Sequence, residues 1–204
     1  MLRILKSTLL VIACFVFSSI SSRSAEPPSG QILGGSLNSP VRIEVFSDFQ
    51  CPHCREYYLG TIRPLLQEYS SKDKVCVIYH EFPLAGHPYA REAARYTEAA
   101  AQLGQQKLLP VYDSIFTNQA QWSEDGKLEA TVAKALPQDD FLKVKRSMQD
   151  PRINTAIEKE IELGIQDKVE STPTTIIYYL GHQQRAEGLV AYPVLKQFID
   201  SIVK

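Results

Sequence analysis

Two cysteines separated by two residues stand where a predicted strand meets a predicted helix, and no other feature constrains the fold as strongly. The strand covers Val41–Ser47, which is rich in β-branched residues and partly alternates in polarity. The segment Cys51–Cys54, with the sequence Cys-Pro-His-Cys, follows it and opens a helix predicted to run to about Tyr69. This junction indicates an α/β unit that carries a dithiol at the start of a helix.

The position of the pair predicts an unusually acidic thiol. If Cys51 is the N-cap, Pro52 occupies the first helical position, where its missing N–H and fixed φ cost nothing. The free N–H groups of His53 and Cys54 then point at the Cys51 sulfur, and the helix dipole favours a negative charge there. The His53 side chain adds a donor or a positive charge. Each effect lowers the pKa of Cys51, and a stabilised thiolate makes the corresponding disulfide a stronger oxidant.

These considerations predict thiol–disulfide exchange, with Cys51 and Cys54 as the catalytic residues and Pro52 and His53 as the residues that tune the redox potential. A substrate thiolate attacks Cys51 of the oxidised pair and forms a mixed disulfide. A second substrate thiol resolves it, and Cys51 leaves as a thiolate. Cys54 is expected to be the more buried partner.

Two other interpretations of the pair stay open at this point. A C-x-x-C segment can form half of a zinc or copper site, with Cys76, His80 and His87 as further candidate ligands. The sequence holds no second C-x-x-C or H-x3-H pair, so neither a metal nor another cofactor is predicted. A purely structural disulfide is the second alternative, although so short a loop adds little stability.

The order of the remaining elements predicts β-α-β, a block of helices, and then β-β-α. Ala25–Ser39 is predicted as an extended lead-in, and Pro64 is predicted to kink the first helix. The other predicted elements are strands at 74–79, 174–179 and 185–189, and helices at 89–103, 107–116, 125–136, 139–149, 153–164 and 192–203.

The first 24 residues have the layout of a secretory signal peptide. Arg3 and Lys6 precede an apolar run of 14 residues, shorter than the roughly 20 needed to span a bilayer. Cleavage after Ser24 would leave 180 residues with a formal charge of −4, which excludes a broadly basic nucleic-acid binder. An uncleaved membrane anchor and a lipidated Cys14 are the alternatives. A secreted chain resides where disulfides persist.

The residues around the cysteine pair resemble the DsbA-like thiol–disulfide oxidoreductases of the thioredoxin superfamily. The resemblance rests on the segment 45–54 and is supported by 81–84, by 87–88 and by 171–174; it covers nearly all of 38–204. It implies a thioredoxin fold with a helical insertion at about 87–167 within a domain of residues 25–204. It also implies a cis peptide between Thr172 and Pro173 beside Cys51, where the Thr172 backbone would bind an extended substrate; an ordinary trans proline is the alternative.

The chain departs from this family at one position. Members often carry a buried acid six residues before the first cysteine, where this sequence has Val45. Glu44 is one residue away and is therefore expected on the opposite face of the strand. We expect water or another residue to take the proton of Cys54, or else Cys54 to deprotonate poorly.

The sequence thus predicts an extracytoplasmic, periplasmic enzyme that donates disulfides to reduced exported proteins or peptides, acts as a monomer and has a membrane redox partner. A reductase or isomerase is the alternative within this chemistry, and a metal-binding or chaperone module is the alternative outside it. Cys76 is predicted to be a buried free thiol, with a regulatory thiol as the alternative. Trp122 is assigned to packing or to substrate binding.

Overall fold

The computed structural model describes residues 29–203, which form a five-stranded mixed sheet with helices on both faces. The strand order is β1-β3-β2-β4-β5, and only β2 and β3 are parallel neighbours. The strands are β1 (Gln31–Gly34), β2 (Val41–Ser47), β3 (Val75–Glu81), β4 (Thr174–Tyr179) and β5 (His182–Glu187). The predicted leader, residues 1–24, lies outside the described residues.

Strand β2 occupies the centre of the sheet and separates two apolar layers. Successive side chains of a strand point to opposite faces, and Ile43 and Val45 belong to a large core while Phe46 packs with Val169 and Ile176 on the other side. The register pairs Ser47 at the end of β2 with Glu81 at the end of β3. The loop that carries the cysteines therefore begins at the end of a strand that is buried on both faces.

The first helical segment departs from a single kinked helix. It consists of α1 (Pro52–Tyr57), a π-helical turn (Tyr58–Ile62) and α2 (Arg63–Glu68). Pro64 stands in the first turn of α2, where it lacks an N–H and its ring crowds the carbonyl of the preceding turn. The widened π turn just ahead of Pro64 accommodates the proline without a sharp break.

A block of helices lies between β3 and β4, packed beside and below the cysteine loop. Its members are α3 (Ala90–Ala101), α4 (Gln105–Thr117), α5 (Gln119–Asp125), α6 (Leu128–Ala135), α7 (Gln138–Ser147) and α8 (Pro151–Gln166). Helix α5 was not predicted, because its seven residues are mostly polar and show no apolar period. It ends at Gly126, which adopts a left-handed φ of 73° that a glycine accepts without strain.

The sequence predictions hold for the architecture and fail at some details. The α/β class and the thioredoxin fold with a helical insertion are confirmed. The lead-in 25–39 is wrong in part, because Gln31–Gly34 pairs with β3 as an edge strand. The second strand of the hairpin begins at His182 and not at 185, since the turn needs only Leu180 and Gly181. Helix α9 (Tyr192–Ile202) closes the described chain. Within residues 29–203, no helix is long and apolar enough to cross a membrane.

Candidate active site

Cys51 and Cys54 lie at the start of α1, as the sequence predicts, and both are free thiols in this structure. Cys51 is the N-cap residue with φ −73° and ψ 123°, and Pro52 is the first helical residue. Cys51 retains 6% of its surface exposed whereas Cys54 retains none. The two thiols of the pair therefore differ in access to solvent, and Cys51 is the one that an incoming thiol can reach.

The surroundings of Cys51 favour its thiolate. The thiol of Cys54 donates a hydrogen bond to the Cys51 sulfur, and this bond is the largest cause that lowers the pKa of Cys51 to about 5, against the opposing effect of burial. The backbone N–H groups of Cys54 and His53 act in the same direction. The Thr172 side chain also lowers this pKa. Several donors thus converge on one sulfur.

Cys54 experiences the opposite environment. Burial raises its pKa well above the ordinary value for a thiol, and the neighbouring Cys51 sulfur raises it further. The Asp48 backbone N–H lies 3.4 Å from the Cys54 sulfur and partly offsets this effect. At neutral pH the pair therefore holds one proton, which Cys54 donates towards the Cys51 thiolate.

A buried carboxylate shapes the loop that leads into the pair. The Asp48 side chain has no exposed surface. Its Oδ1 accepts from the backbone N–H groups of Gln50 at 2.6 Å and Cys51 at 3.1 Å, and its Oδ2 accepts from the Leu84 N–H at 2.7 Å. The His87 Nδ1 lies 2.8 Å from the same Oδ2. One carboxylate therefore ties the cysteine loop to the segment that follows β3.

The helical insertion holds the cysteine loop from the other side. The buried amide of Gln119 in α5 donates to the backbone carbonyls of Phe49 at 2.7 Å and Cys51 at 2.9 Å. Gln50 donates to the Ser123 carbonyl at 3.0 Å, and Arg55 donates to the Phe116 carbonyl at 3.0 Å. The insertion thus fixes the backbone on both sides of Cys51.

The loop before β4 completes the surroundings of Cys51. The peptide between Thr172 and Pro173 is cis, as the resemblance implies, and the Cys51 sulfur lies 3.5 Å from the Thr172 carbonyl oxygen. The Pro173 carbonyl accepts from the Gly188 N–H at 2.8 Å, which anchors this loop to the end of β5. The two residues predicted to bind substrate are therefore beside the predicted nucleophile.

Glu44 lies away from the cysteines, on the face of β2 that Val45 does not share. It is buried there, where its Oε1 lies 2.9 Å from the Arg42 Nε and its Oε2 lies 3.3 Å from the His80 Nε2. Because Val45 belongs to the core on the cysteine side, the acid common in the family is missing beneath Cys54. The expectation from the strand register is confirmed.

The other residues considered from the sequence are an exposed histidine between the two cysteines and two buried side chains elsewhere in the fold. The His53 side chain is exposed at the start of α1. Cys76 is fully buried in β3, and burial raises its pKa to about 11. Trp122 is a core residue whose indole N–H donates to the Ile115 carbonyl at 2.8 Å. Among residues 29–203, no group of three or more His, Cys, Asp or Glu side chains is arranged to hold a metal ion.

Two residues of the site, Asp48 and Gln119, are not predicted from the sequence. Asp48 was noted only as part of the motif, although an Asp two or three residues before free backbone N–H groups is a recognisable loop signal. Gln119 offers no such signal, because its two acceptors lie 68 and 70 residues earlier in the chain.

Comparisons with known proteins agree with this geometry. A thioredoxin family model (Thioredoxin_4) matches residues 28–200. "Probable disulfide bond formation protein D" of Bacillus anthracis is 27% identical over 207 residues, which cover 97% of this chain and 92% of that protein. The homologue of the same name from Bacillus cereus is 26% identical over 207 residues.

Solved structures share the fold at low sequence identity. The alpha-DsbA1 protein of Wolbachia pipientis superposes with a TM-score of 0.72 at 18% identity, covering 86% of this chain and 92% of that one. Oxidised BdbD from Bacillus subtilis gives a TM-score of 0.70 at 17% identity, covering 86% and 93%. With its family model spanning almost the whole described region and its dithiol at the start of α1, the chain belongs to the thioredoxin family and is a DsbA-like thiol–disulfide oxidoreductase.

Proposed function

We propose that this protein works outside the cytoplasm and donates the Cys51–Cys54 disulfide to reduced exported proteins. The observation that carries the proposal is the difference between the two thiols. Cys51 is held as a thiolate by converging donors, with its pKa lowered to about 5. A dithiol stabilised in this way is difficult to oxidise, so the corresponding disulfide is a strong oxidant.

The reaction follows from the access of the two sulfurs. A substrate thiolate attacks the Cys51 sulfur of the oxidised pair, the Cys51–Cys54 bond breaks, and Cys54 leaves as a thiolate that takes up a proton. A second substrate thiolate then attacks the substrate sulfur of the mixed disulfide. Cys51 leaves with the electron pair as the stabilised thiolate, so the substrate is oxidised by two electrons and the enzyme is reduced.

The roles of the surrounding residues follow from their positions. Pro52 begins α1 and leaves the N–H groups of His53 and Cys54 free to face the Cys51 sulfur. Thr172 and Pro173 lie where an extended substrate chain can pass beside Cys51 and pair with the Thr172 backbone. A membrane-bound oxidant then returns the pair to the disulfide. The protein acts as a monomer, without a metal or other cofactor.

The reduction potential tests the direction of electron flow. We expect equilibration with glutathione to give a potential nearer to the roughly −120 mV of DsbA than to the roughly −270 mV of thioredoxin. Thiolate absorbance of the Cys54→Ala and wild-type proteins would report the pKa of Cys51, which is expected to lie well below 7 in the wild-type protein.

Two controls make the result specific. The Cys51→Ser variant should lose disulfide exchange while Cys76→Ala, far from the pair, should retain it. A potential as low as that of thioredoxin would contradict disulfide donation and identify a reductase. Stoichiometric zinc that protects the thiols until a chelator is added would contradict the redox role itself.

A further inference from the structure

The buried thiol of Cys54 must lose its proton whenever the disulfide of the pair closes again. Burial and the adjacent Cys51 sulfur make that loss difficult, because both raise the pKa of Cys54. The residue that would accept the proton in related proteins is replaced by Val45. Glu44 cannot replace it, since it is bonded to Arg42 and His80 on the other face of the sheet.

Two buried hydroxyl groups near Cys54 lack a hydrogen-bond partner among the described residues. Ser47 is 2% exposed and Tyr79 is 1% exposed, and neither hydroxyl makes a hydrogen bond of normal geometry to another described group. The Ser47 hydroxyl is nevertheless close enough to lower the pKa of both Cys54 and Tyr79. Buried polar groups are nearly always bonded, so an unpaired hydroxyl next to a reactive thiol calls for a functional explanation.

A buried acid follows directly along this face. Glu81 is the register partner of Ser47 on the neighbouring parallel strand, so their side chains share the face that Cys54 packs against. The hydroxyls of Thr97 and Tyr112 donate to its Oε1 at 2.8 and 2.9 Å. None of the hydrogen bonds that the described residues make to this carboxyl uses Oε2. That oxygen can therefore hold a proton.

We propose that Glu81 accepts the proton of Cys54, which reaches it through the Ser47 hydroxyl. Ser47 gives its own proton to the Glu81 carboxylate as it receives the proton of Cys54, so the serine is unchanged. The Cys54 thiolate then attacks the Cys51 sulfur of a mixed disulfide, the Cys51–Cys54 bond forms, and the partner leaves as a thiolate with the electron pair. The acid missing from β2 is supplied by β3.

The groups facing Glu81 suit it to this role. The other ionisable side chains around it are Glu98 from α3, Glu160 from α8, Tyr112 from α4 and Asp48 before α1. Burial and the Glu98 carboxyl raise the pKa of Glu81 to about 8. A base with a pKa near the working pH transfers protons most effectively. The inference concerns the closing of the pair in either direction of electron flow, so it does not depend on the proposed disulfide donation.

The test uses the reduced protein and an excess of dithiobis-nitrobenzoate in a stopped-flow instrument. Each disulfide formed releases a coloured thiolate, first when Cys51 attacks the reagent and again when Cys54 attacks the mixed disulfide. In the wild-type protein the rate of the second release should rise with pH through about pH 8, because Glu81 must be ionised to accept the proton. The first release reports Cys51 alone.

The Glu81→Gln variant should lose this dependence. At neutral pH we expect the second release to slow by about 100-fold, the lower end of what general acid–base catalysis contributes, while the first release is unchanged. Ser47→Ala should slow the second release to a similar degree, and the double variant should be no slower than either single one, since both act on one route.

Glu98→Gln is the matched control within the same cluster. It keeps Glu81 but removes a neighbouring carboxyl, so the second release should stay fast and its pH midpoint should move down. A second release with an unchanged rate and pH profile in Glu81→Gln would overturn the proposal. If the Glu81→Gln variant does not fold, the Ser47→Ala and Glu98→Gln variants test the proposal instead. A wild-type pH profile of the second release in both variants would overturn the proposal. This outcome does not depend on the reduction potential.

Discussion

Each face of the β2–β3 ladder buries a carboxyl, and the surroundings of the two carboxyls are opposite in character. On the face away from the cysteines, Glu44 is bonded to Arg42 and His80. On the cysteine face, Glu81 receives only hydroxyl and amide donors and stands near two further carboxyls, Glu98 and Glu160. The first arrangement compensates a buried charge, whereas the second leaves the carboxyl ready to hold a proton.

Within one sheet, one of these two carboxyls therefore serves stability and the other serves thiol chemistry. The Glu44 carboxyl is paired with Arg42 and His80 and serves the packing of its face. An uncompensated carboxyl costs folding free energy when it ionises, and it exchanges protons close to neutral pH. Its proximity to the cysteine pair gives a reason for retaining it. Variants of Glu44 should therefore mainly lower stability, whereas variants of Glu81 should mainly slow thiol exchange.

The largest effect of a single substitution on stability is expected on the compensated face. Glu44→Ala would leave the buried ring nitrogen of His80 and the Arg42 guanidinium without their acceptor, which should cost about 3 kcal/mol in the free energy of unfolding. Urea denaturation would measure the loss. Thiol exchange should remain at the wild-type rate in the milder Glu44→Gln variant; a large slowing there would show that the side chain acts on Cys54 and that the assignment of faces is wrong.

An effect that depends on pH is expected on the cysteine face. The pKa of Glu81 is raised from 4.5 to about 8 in the folded protein, so the folded state keeps a proton that the unfolded state has lost. In the oxidised protein, where Cys51 has no thiol to ionise, the contribution of Glu81 to the free energy of unfolding should fall as the pH rises through this window, at up to about 1.4 kcal/mol per unit.

The Glu81→Gln variant should flatten that decline in part, since Glu98 and Glu160 also have raised pKa values and keep their share of it. Urea midpoints of the two proteins measured across the pH range would show the difference. An identical pH dependence in the oxidised wild-type and Glu81→Gln proteins would contradict the description of Glu81 as an uncompensated carboxyl.

The smallest effect is expected at Cys76, the third described thiol. It lies opposite Arg42 in the β2–β3 ladder, on the compensated face, and it is fully buried. Cys76→Ala should lower the free energy of unfolding by about 1 kcal/mol through lost packing and leave exchange unchanged. Rapid labelling of Cys76 in the native protein, or altered exchange kinetics in the variant, would instead identify a regulatory thiol.

The sequence alone determined the features that depend on local geometry. Cys51 caps α1 and Pro52 begins it because a proline after a loop residue suits the first helical position. Glu44 faces away from the cysteines because side chains alternate along a strand, so a shift of one residue changes the face. The order of strands and helices, together with the resemblance to the DsbA-like family, was enough to predict the α/β fold and its helical insertion.

Only the tertiary structure decided which distant residues meet the cysteine pair. Gln119 reaches Cys51 from 68 residues along the chain, and Ser47 meets Glu81 through the register of two strands. Such contacts depend on how strands align and how the insertion docks, and no local pattern encodes either choice. The proton state of Glu81 is likewise a tertiary property, because desolvation by the surrounding core sets the pKa of a buried carboxyl.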